Sequence, residues 1–192
     1  LIEGPQGLIM VDDGLSRRET LKRMAELGLT ADDVSALVVT HEHSDHIKGL
    51  EVWCKHWNGP VFSSRGTLAS KECLAHLSVE EFDPGDTLSI AGVHIQTYST
   101  SHDVVNPVGY RFDAQGDSVG FATDTGELSK HAMDTLKDCR ILALESNHDV
   151  AMLRQGDYPR FLQERILSAK GHLSNDQAAD AARALVTDRT EQ

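Results

Sequence analysis

Three histidines and an aspartate stand within six residues in the segment His41-Glu42-His43-Ser44-Asp45-His46, directly after the apolar run Ala36-Leu37-Val38-Val39. Imidazole nitrogens and carboxylate oxygens are the donors that hold zinc and similar divalent ions. In an extended or tightly looped segment His41 and His43 point the same way with a period of two, so both rings can reach one metal. Asp45 and His46 fall on the following turn. There they can serve a second ion, at the ~3.5 to 4 Å separation of two-metal hydrolases. The alternative is a solvated polar loop, and the density of ligand types argues against it.

Two metals need more donors, and other strand ends offer them. His102 follows the run ending in Tyr98, and Asp124 follows Gly120-Phe121-Ala122-Thr123. Singly, each is ordinary: a surface histidine, or a turn-forming aspartate before Thr-Gly. Together with the first loop they share one explanation, in which His102 completes a three-imidazole site and the Asp124 carboxylate bridges both ions. Glu145 and His148 follow the run Ile141 to Leu144 and face the same rim. Glu145 could orient a catalytic imidazole, or be a helix-start carboxylate near the N-terminal dipole. His172 stands just before the helix start marked by Ser174 and Gln177, where backbone N–H groups and the helix dipole favour an anionic oxygen.

The elements that must position these residues are short. Strands are expected at Leu8 to Val11, Leu37 to Thr40, Val61 to Ser63, Thr87 to Ile90, Val93 to Tyr98, Val108 to Phe112, Ser118 to Thr123 and Ile141 to Leu144. Helices are expected at Arg17 to Leu27, His46 to Trp57, Leu68 to His76, Ser129 to Leu136, Pro159 to Ala169 and Asn175 to Val186. Ala91-Gly92 reads as a two-residue hairpin turn. This alternation gives an α/β or α+β class. Asp12 and Asp13 end the first strand, either as partners for metal-bound imidazoles or, the reading preferred here, as a simple turn. Trp53 and Trp57 share a helix face and are expected to pack it down. His56, His76, His94 and His131 are assigned no role. Arg154, Arg160, Arg165 and Lys170 form a basic stretch that could meet phosphate, although a run of this kind is usually a solvated helix face.

At 192 residues a single domain over 1–192 is expected, shortened at both ends, since the chain opens on Leu1 and stops soon after its last helix. With 40% hydrophobic residues and no apolar run of the ~20 residues a membrane span needs, insertion in a membrane is not expected. The three cysteines lack CxxC spacing and read as reduced thiols of a cytoplasmic protein. The net charge of -12 repels nucleic acid at long range and counts mildly against a nuclease.

The His-x-His-x-Asp-His motif, His102 and the segment Thr123-Asp124-Thr125-Gly126 resemble motifs of the metallo-β-lactamase superfamily. Leu144-Glu145-Ser146-Asn147-His148-Asp149 and Gly171-His172-Leu173-Ser174-Asn175 are similar to its WalJ/YycJ-like branch, which is associated with 5'-to-3' DNA exonuclease activity. The resemblance runs from Val11 to the helix at Asn175. It implies an αββα sandwich, two mixed sheets flanked by helices, with one or two metals at the sheet edge. It implies metal ligation by His41, His43, Asp45, His46, His102 and Asp124, with Asp45, Glu145 and His172 as catalytic residues. His172 would be an acid or phosphate contact held by Glu145, and in a shortened chain the competing reading makes it a metal ligand. Members carry a further histidine ligand on a strand after the last helix present here.

The leading expectation is therefore a phosphodiesterase or nuclease with two divalent ions, Zn²⁺ or Mn²⁺ with Fe²⁺ also suitable, and nucleic acid as substrate. The runner-up keeps the metals and takes a thioester, lactone or β-lactam. A third reading is a non-catalytic metal-binding module. No protein partner is legible.

Overall fold

The computed structural model describes residues 1–191, which divide into two compact units. The first comprises Leu1–His94 with Val104–Val108; the second comprises Ile95–Asp103 and the chain from Gly109 onward.

In the first unit a five-stranded sheet runs β1 (Ile2–Gly4), β2 (Gly7–Val11), β3 (Val34–Val39), β4 (Val61–Ser64), β5 (Val79–Phe82). Only β1 and β2 pair antiparallel; the other neighbours are parallel. Central β3 is buried at every position except Ser35, the near-continuous apolar pattern of a parallel strand covered on both faces. Between β2 and β3 lies α1 (Arg17–Glu26), capped by Ser16, whose side chain accepts from the Glu19 amide. After β3 come α2 (Ser44–Ile47) and α3 (Leu50–Cys54). Met24, Leu37, Val39, Ile47, Leu50, Trp53 and Val61 form one buried cluster, which seats these helices on the sheet. A β6 strand (Thr87–Ile90) turns through Ala91 and Gly92 into β7 (Val93–Ser99). Both turn residues have positive φ, 50° and 75°, as a two-residue hairpin of the expected kind requires.

In the second unit β7, β8 (Val108–Ala114), β9 (Asp117–Ala122) and β10 (Ile141–Leu144) are successive neighbours in a second sheet. Strands β8 and β9 are antiparallel and β9 and β10 parallel, so this sheet is mixed as well. The helices are α4 (Lys130–Leu136), α5 (Val150–Gln155), α6 (Arg160–Ile166) and α7 (Asn175–Leu185). Tyr98, Ala122, Ala132, Leu136 and Leu185 pack as its core. Ser174 and Gln177 form the expected capping box at the start of α7. Among the described residues no helix is long and apolar enough to cross a membrane.

Several expectations are corrected. The helix expected from His46 to Trp57 is two short pieces broken at Lys48-Gly49. The Gly49 amide donates to the Asp13 carbonyl at 2.8 Å, and a Cβ there would overlap the Leu15 carbonyl and the Asp13 carboxylate. Close approach of the 13–15 turn therefore sets the break. The helix expected from Leu68 to His76 is a 3₁₀ turn at Leu68–Ser70; the Ser70 hydroxyl donates to the Thr67 carbonyl at 2.6 Å and competes with a helical ladder. Strands β1 and β5 and helix α5 are additions to the expected elements. The last of these is six residues long, too short for periodicity, and β5 reads Val-Glu-Glu-Phe, the charged pattern of a sheet edge.

Candidate metal ligands

In the first unit the parallel register of β2 and β3 sets Val11 beside Val38, so Asp12 emerges next to the loop that starts at Thr40. Asp12 has φ 57°, a conformation costly for any residue with a Cβ and common at functional sites. Its carboxylate accepts from the Thr40 amide at 2.8 Å and the Thr40 hydroxyl at 2.7 Å, and lies 2.8 Å from His46 Nδ1. The Asp13 amide donates to the His46 carbonyl at 2.8 Å. A side chain on Gly14 would overlap the Asp45 carbonyl, so glycine is required where this turn seats the histidine loop. His41 Nδ1 is 3.0 Å from the Thr40 hydroxyl, and His41 Nε2 is 3.1 Å from His43 Nδ1. The rings of His41 and His46 are 4.0 Å apart. His41, His43 and His46 are thus gathered as expected, whereas the Asp45 carboxylate is 78% exposed and 3.8 Å from His46 Nε2. Glu42 is buried and accepts from the Val105 amide at 2.9 Å, which ties the loop to the 104–108 segment. Trp53 is fully buried and Trp57 donates to the Val34 carbonyl, so both pack the unit.

In the second unit β9 and β10 are parallel, so the loops that follow them leave from the same edge, one with Asp124 and one with Glu145. Asp124 has φ 53°. Its neighbour Thr125 accepts from the Ser101 amide, and the Gly126 amide donates to the Ser101 carbonyl at 2.8 Å, which draws the His102 loop alongside. One ligand atom from each of His102, Asp124 and His172 lies within 4.8 Å of the others. His102 Nδ1 is 3.2 Å from the Gly171 carbonyl, an acceptor that sets Nδ1 as donor and Nε2 as the lone-pair nitrogen. His172 Nδ1 donates to Glu145 Oε2 at 3.0 Å and is 3.5 Å from Asp124 Oδ1. Glu145 also accepts from the amides of Thr125 and Leu173, at 2.7 and 3.1 Å. The bond to Glu145 raises the His172 pKa above its ordinary value against the opposing effect of burial. His148 is not part of this group; its backbone bridges to Ser174.

These donor sets suit a divalent ion. His46 is braced at Nδ1 by a carboxylate and His102 by a carbonyl, the arrangement that orients imidazoles for ligation through Nε2. One sequence expectation fails here. Four amides around the start of α7 are already engaged and do not await an anion: those of Leu173, Ser174, Asn175 and Gln177 donate to Glu145, Gln177, the His148 carbonyl and Ser174. Asp12, read from sequence as a simple turn, proves to be a brace; its position just after a strand was the available signal. Arg165, read as part of a solvated face, is paired with Asp103 at 2.6 Å.

A family model described as a beta-lactamase superfamily domain matches residues 8–190. The chain belongs to the beta-lactamase superfamily. Within it, the chain is 36% identical to the exodeoxyribonuclease YycJ of Bacillus anthracis over 95% of its length and 70% of that protein's. It is 33% identical to the exodeoxyribonuclease WalJ of Streptococcus pneumoniae, over 98% of this chain and 72% of the relative. It is a WalJ/YycJ-like member of the superfamily. Two solved structures share the fold: Zn(2+)-bound PqqB of Methylobacterium extorquens, with a TM-score of 0.74 at 13% identity over 95% of this chain and 70% of that one, and YhfI of Bacillus subtilis, with 0.69 at 17% identity over 95% and 71%. The fold of this superfamily member is accordingly the αββα metallo-β-lactamase fold, with mixed sheets and flanking helices.

Proposed function

We propose that the chain is a metal-dependent phosphodiesterase that cleaves nucleic acid, with DNA exonuclease-type activity as in the relatives named YycJ and WalJ. His41, His43, Asp45, His46, His102 and Asp124 are the proposed ligands of two divalent ions, Zn²⁺ or Mn²⁺, and Asp124 is proposed to serve both. When bound, such ions supply Lewis-acid polarisation of the phosphoryl group and lower the pKa of an attacking water. Asp12, through His46, keeps that loop in one arrangement.

The observation that carries this reading is the His172–Glu145 bond beside Asp124 and His102. With Nδ1 donating to the carboxylate, the proton that can be handed on sits on Nε2 of the imidazolium. His172 is proposed to give that proton to the leaving oxygen as the phosphodiester breaks, and Glu145 to hold the ring and stabilise its charge. A leaving alkoxide needs such an acid; on a neutral ring the same bond at Nδ1 would present Nε2 to an ion, as at His46, and the metal content of His172→Ala separates the two roles.

The net charge of -12 favours a second reading, a small thioester, lactone or β-lactam as substrate, because a nucleic acid must overcome that field. Turnover of a chromogenic phosphodiester, a thioester and a β-lactam, each with Zn²⁺ or Mn²⁺ supplied, separates the two. Phosphodiester turnover well above the others supports the proposal; efficient turnover of only a carbonyl substrate overturns it. Hydrolysis of none would leave a non-catalytic metal-binding module.

A further inference from the structure

The second unit exposes large apolar side chains on α5, α6 and the turn between them: Met152 at 75%, Tyr158 at 57% and Phe161 at 72%. Exposed aromatics grouped along a short stretch of chain mark an interaction surface more often than a single exposed leucine does. Phe161 and Arg165 are four residues apart in α6 and therefore share a helix face. Arg165 donates to both oxygens of Asp103, from Nε at 2.6 Å and from Nη2 at 3.1 Å. With His102, Asp103, Ile166, Gly171 and His172 it lines one small pocket. The pairing fixes the guanidinium at the pocket wall, and among the described residues Nη1 has no acceptor. The face thus runs from the histidine pocket, past a positioned cation, to an exposed aromatic ring one helical turn away.

Charge on this stretch is opposite to that of the chain. From Arg154 to Lys170 four basic residues stand against Asp157 and Glu164, in a protein of net charge -12; Arg160 is paired with Glu164 and Arg165 with Asp103, so the excess positive charge of the stretch rests on Arg154 and Lys170. Arg154 and Lys170 make no ion pair among the described residues. Such a patch complements an anion, and the ring beside it complements a flat one.

We infer that this face is the subsite for an unpaired terminal nucleotide, whose phosphate meets Arg165 at the His102–His172 pocket and whose base stacks on Phe161. Arg165 binds the phosphate by charge and fork geometry, and Phe161 takes a base of any identity, since every base has a π face. Tyr158, three residues earlier, offers the neighbouring base a second ring. A base inside a duplex has both faces occupied by its stacked neighbours, so the subsite selects a single-stranded or frayed end. This rests on the phosphodiesterase reading and narrows it to a substrate class.

Binding of a single-stranded oligonucleotide carrying terminal 2-aminopurine, measured in EDTA so that nothing is cut, tests the inference. Stacking on Phe161 quenches the probe. Phe161→Ala should weaken binding about tenfold and remove the quenching, and Phe161→Trp should keep both. Arg165→Ala should weaken binding and lower the salt slope by about one phosphate. A blunt duplex of the same sequence should bind more weakly to the wild type and respond less to Phe161→Ala. Wild-type binding and quenching in Phe161→Ala would overturn the inference, as would self-association that this substitution abolishes while DNA binding stays intact. Wild-type turnover of methyl p-nitrophenyl phosphate is measured separately. Its absence would sink the phosphodiesterase reading, while the EDTA binding data would still decide whether bases stack on Phe161.

Discussion

The Asp12 carboxylate lies 2.8 Å from Nδ1 of His46, across 34 residues of chain. It also accepts from both the amide and the hydroxyl of Thr40, so one side chain at the end of β2 holds both the start and the finish of the histidine loop. Losing such an outer partner typically costs 10- to 100-fold in metal affinity. We expect Asp12→Ala to weaken the ion held by His46 by about that factor, read by competition with a chromogenic chelator. Affinities equal to wild type at every site would show that Asp12 braces only the turn.

Asp124 is proposed to serve both ions, and its substitution should therefore be felt at both. Elemental analysis of Asp124→Ala should give less metal at each of two equivalents. Full occupancy, or loss of one equivalent alone, would remove the bridging role.

Separation along the chain decides which of these features are legible in the sequence. His41, His43 and His46 announce themselves because the ligand types crowd into six residues. His102 and Asp124 are ordinary alone and gain meaning only once that loop is recognised. The Asp12 brace is hidden because Asp-Asp-Gly is equally a turn, and nothing local ties it to a histidine 34 residues on. The break in the helix after the loop is hidden for a related reason: Gly49 meets the 13–15 turn only when β2 and β3 are paired. The Arg165–Asp103 pair, 62 residues apart, leaves no trace in the pattern of charges.

His172 and Glu145 can be separated by what each loss spares. As an acid, His172 should leave metal content intact when replaced by alanine and lower kcat about 10² to 10⁴-fold. Glu145→Gln keeps a hydrogen-bond acceptor but not the charge, so it should lower kcat less and move the alkaline limb of the pH profile to lower pH, since a general acid loses activity as its proton leaves and the bond to Glu145 is what raises the His172 pKa. Loss of one metal equivalent in His172→Ala would make this histidine a ligand instead.

Asp13 gives a stability prediction of known sign. It is buried beside Thr20, which donates to it at 3.0 Å, and burial raises its pKa from 3.8 to about 6. The folded state therefore disfavours the carboxylate. The resulting destabilisation is absent below the unfolded pKa, grows as pH rises between the two values, and is complete above about 6. Asp13→Asn keeps the acceptor for Thr20, and we expect it to raise Tm at pH 7.5 by about 2 to 4 °C. That gain should vanish near pH 4. A variant less stable than wild type at pH 7.5 would mean that the charge has a partner worth more than its burial costs.

The most direct test of metal-dependent phosphodiester hydrolysis is one kinetic series on the wild-type protein. Turnover of a chromogenic phosphodiester is followed as purified, after exhaustive chelation, and after return of Zn²⁺ or Mn²⁺, with a chromogenic β-lactam run in parallel. We expect phosphodiester turnover that disappears on chelation, returns with metal, and exceeds β-lactam turnover throughout. Efficient β-lactam hydrolysis with no phosphodiesterase activity in any metal state would contradict the account.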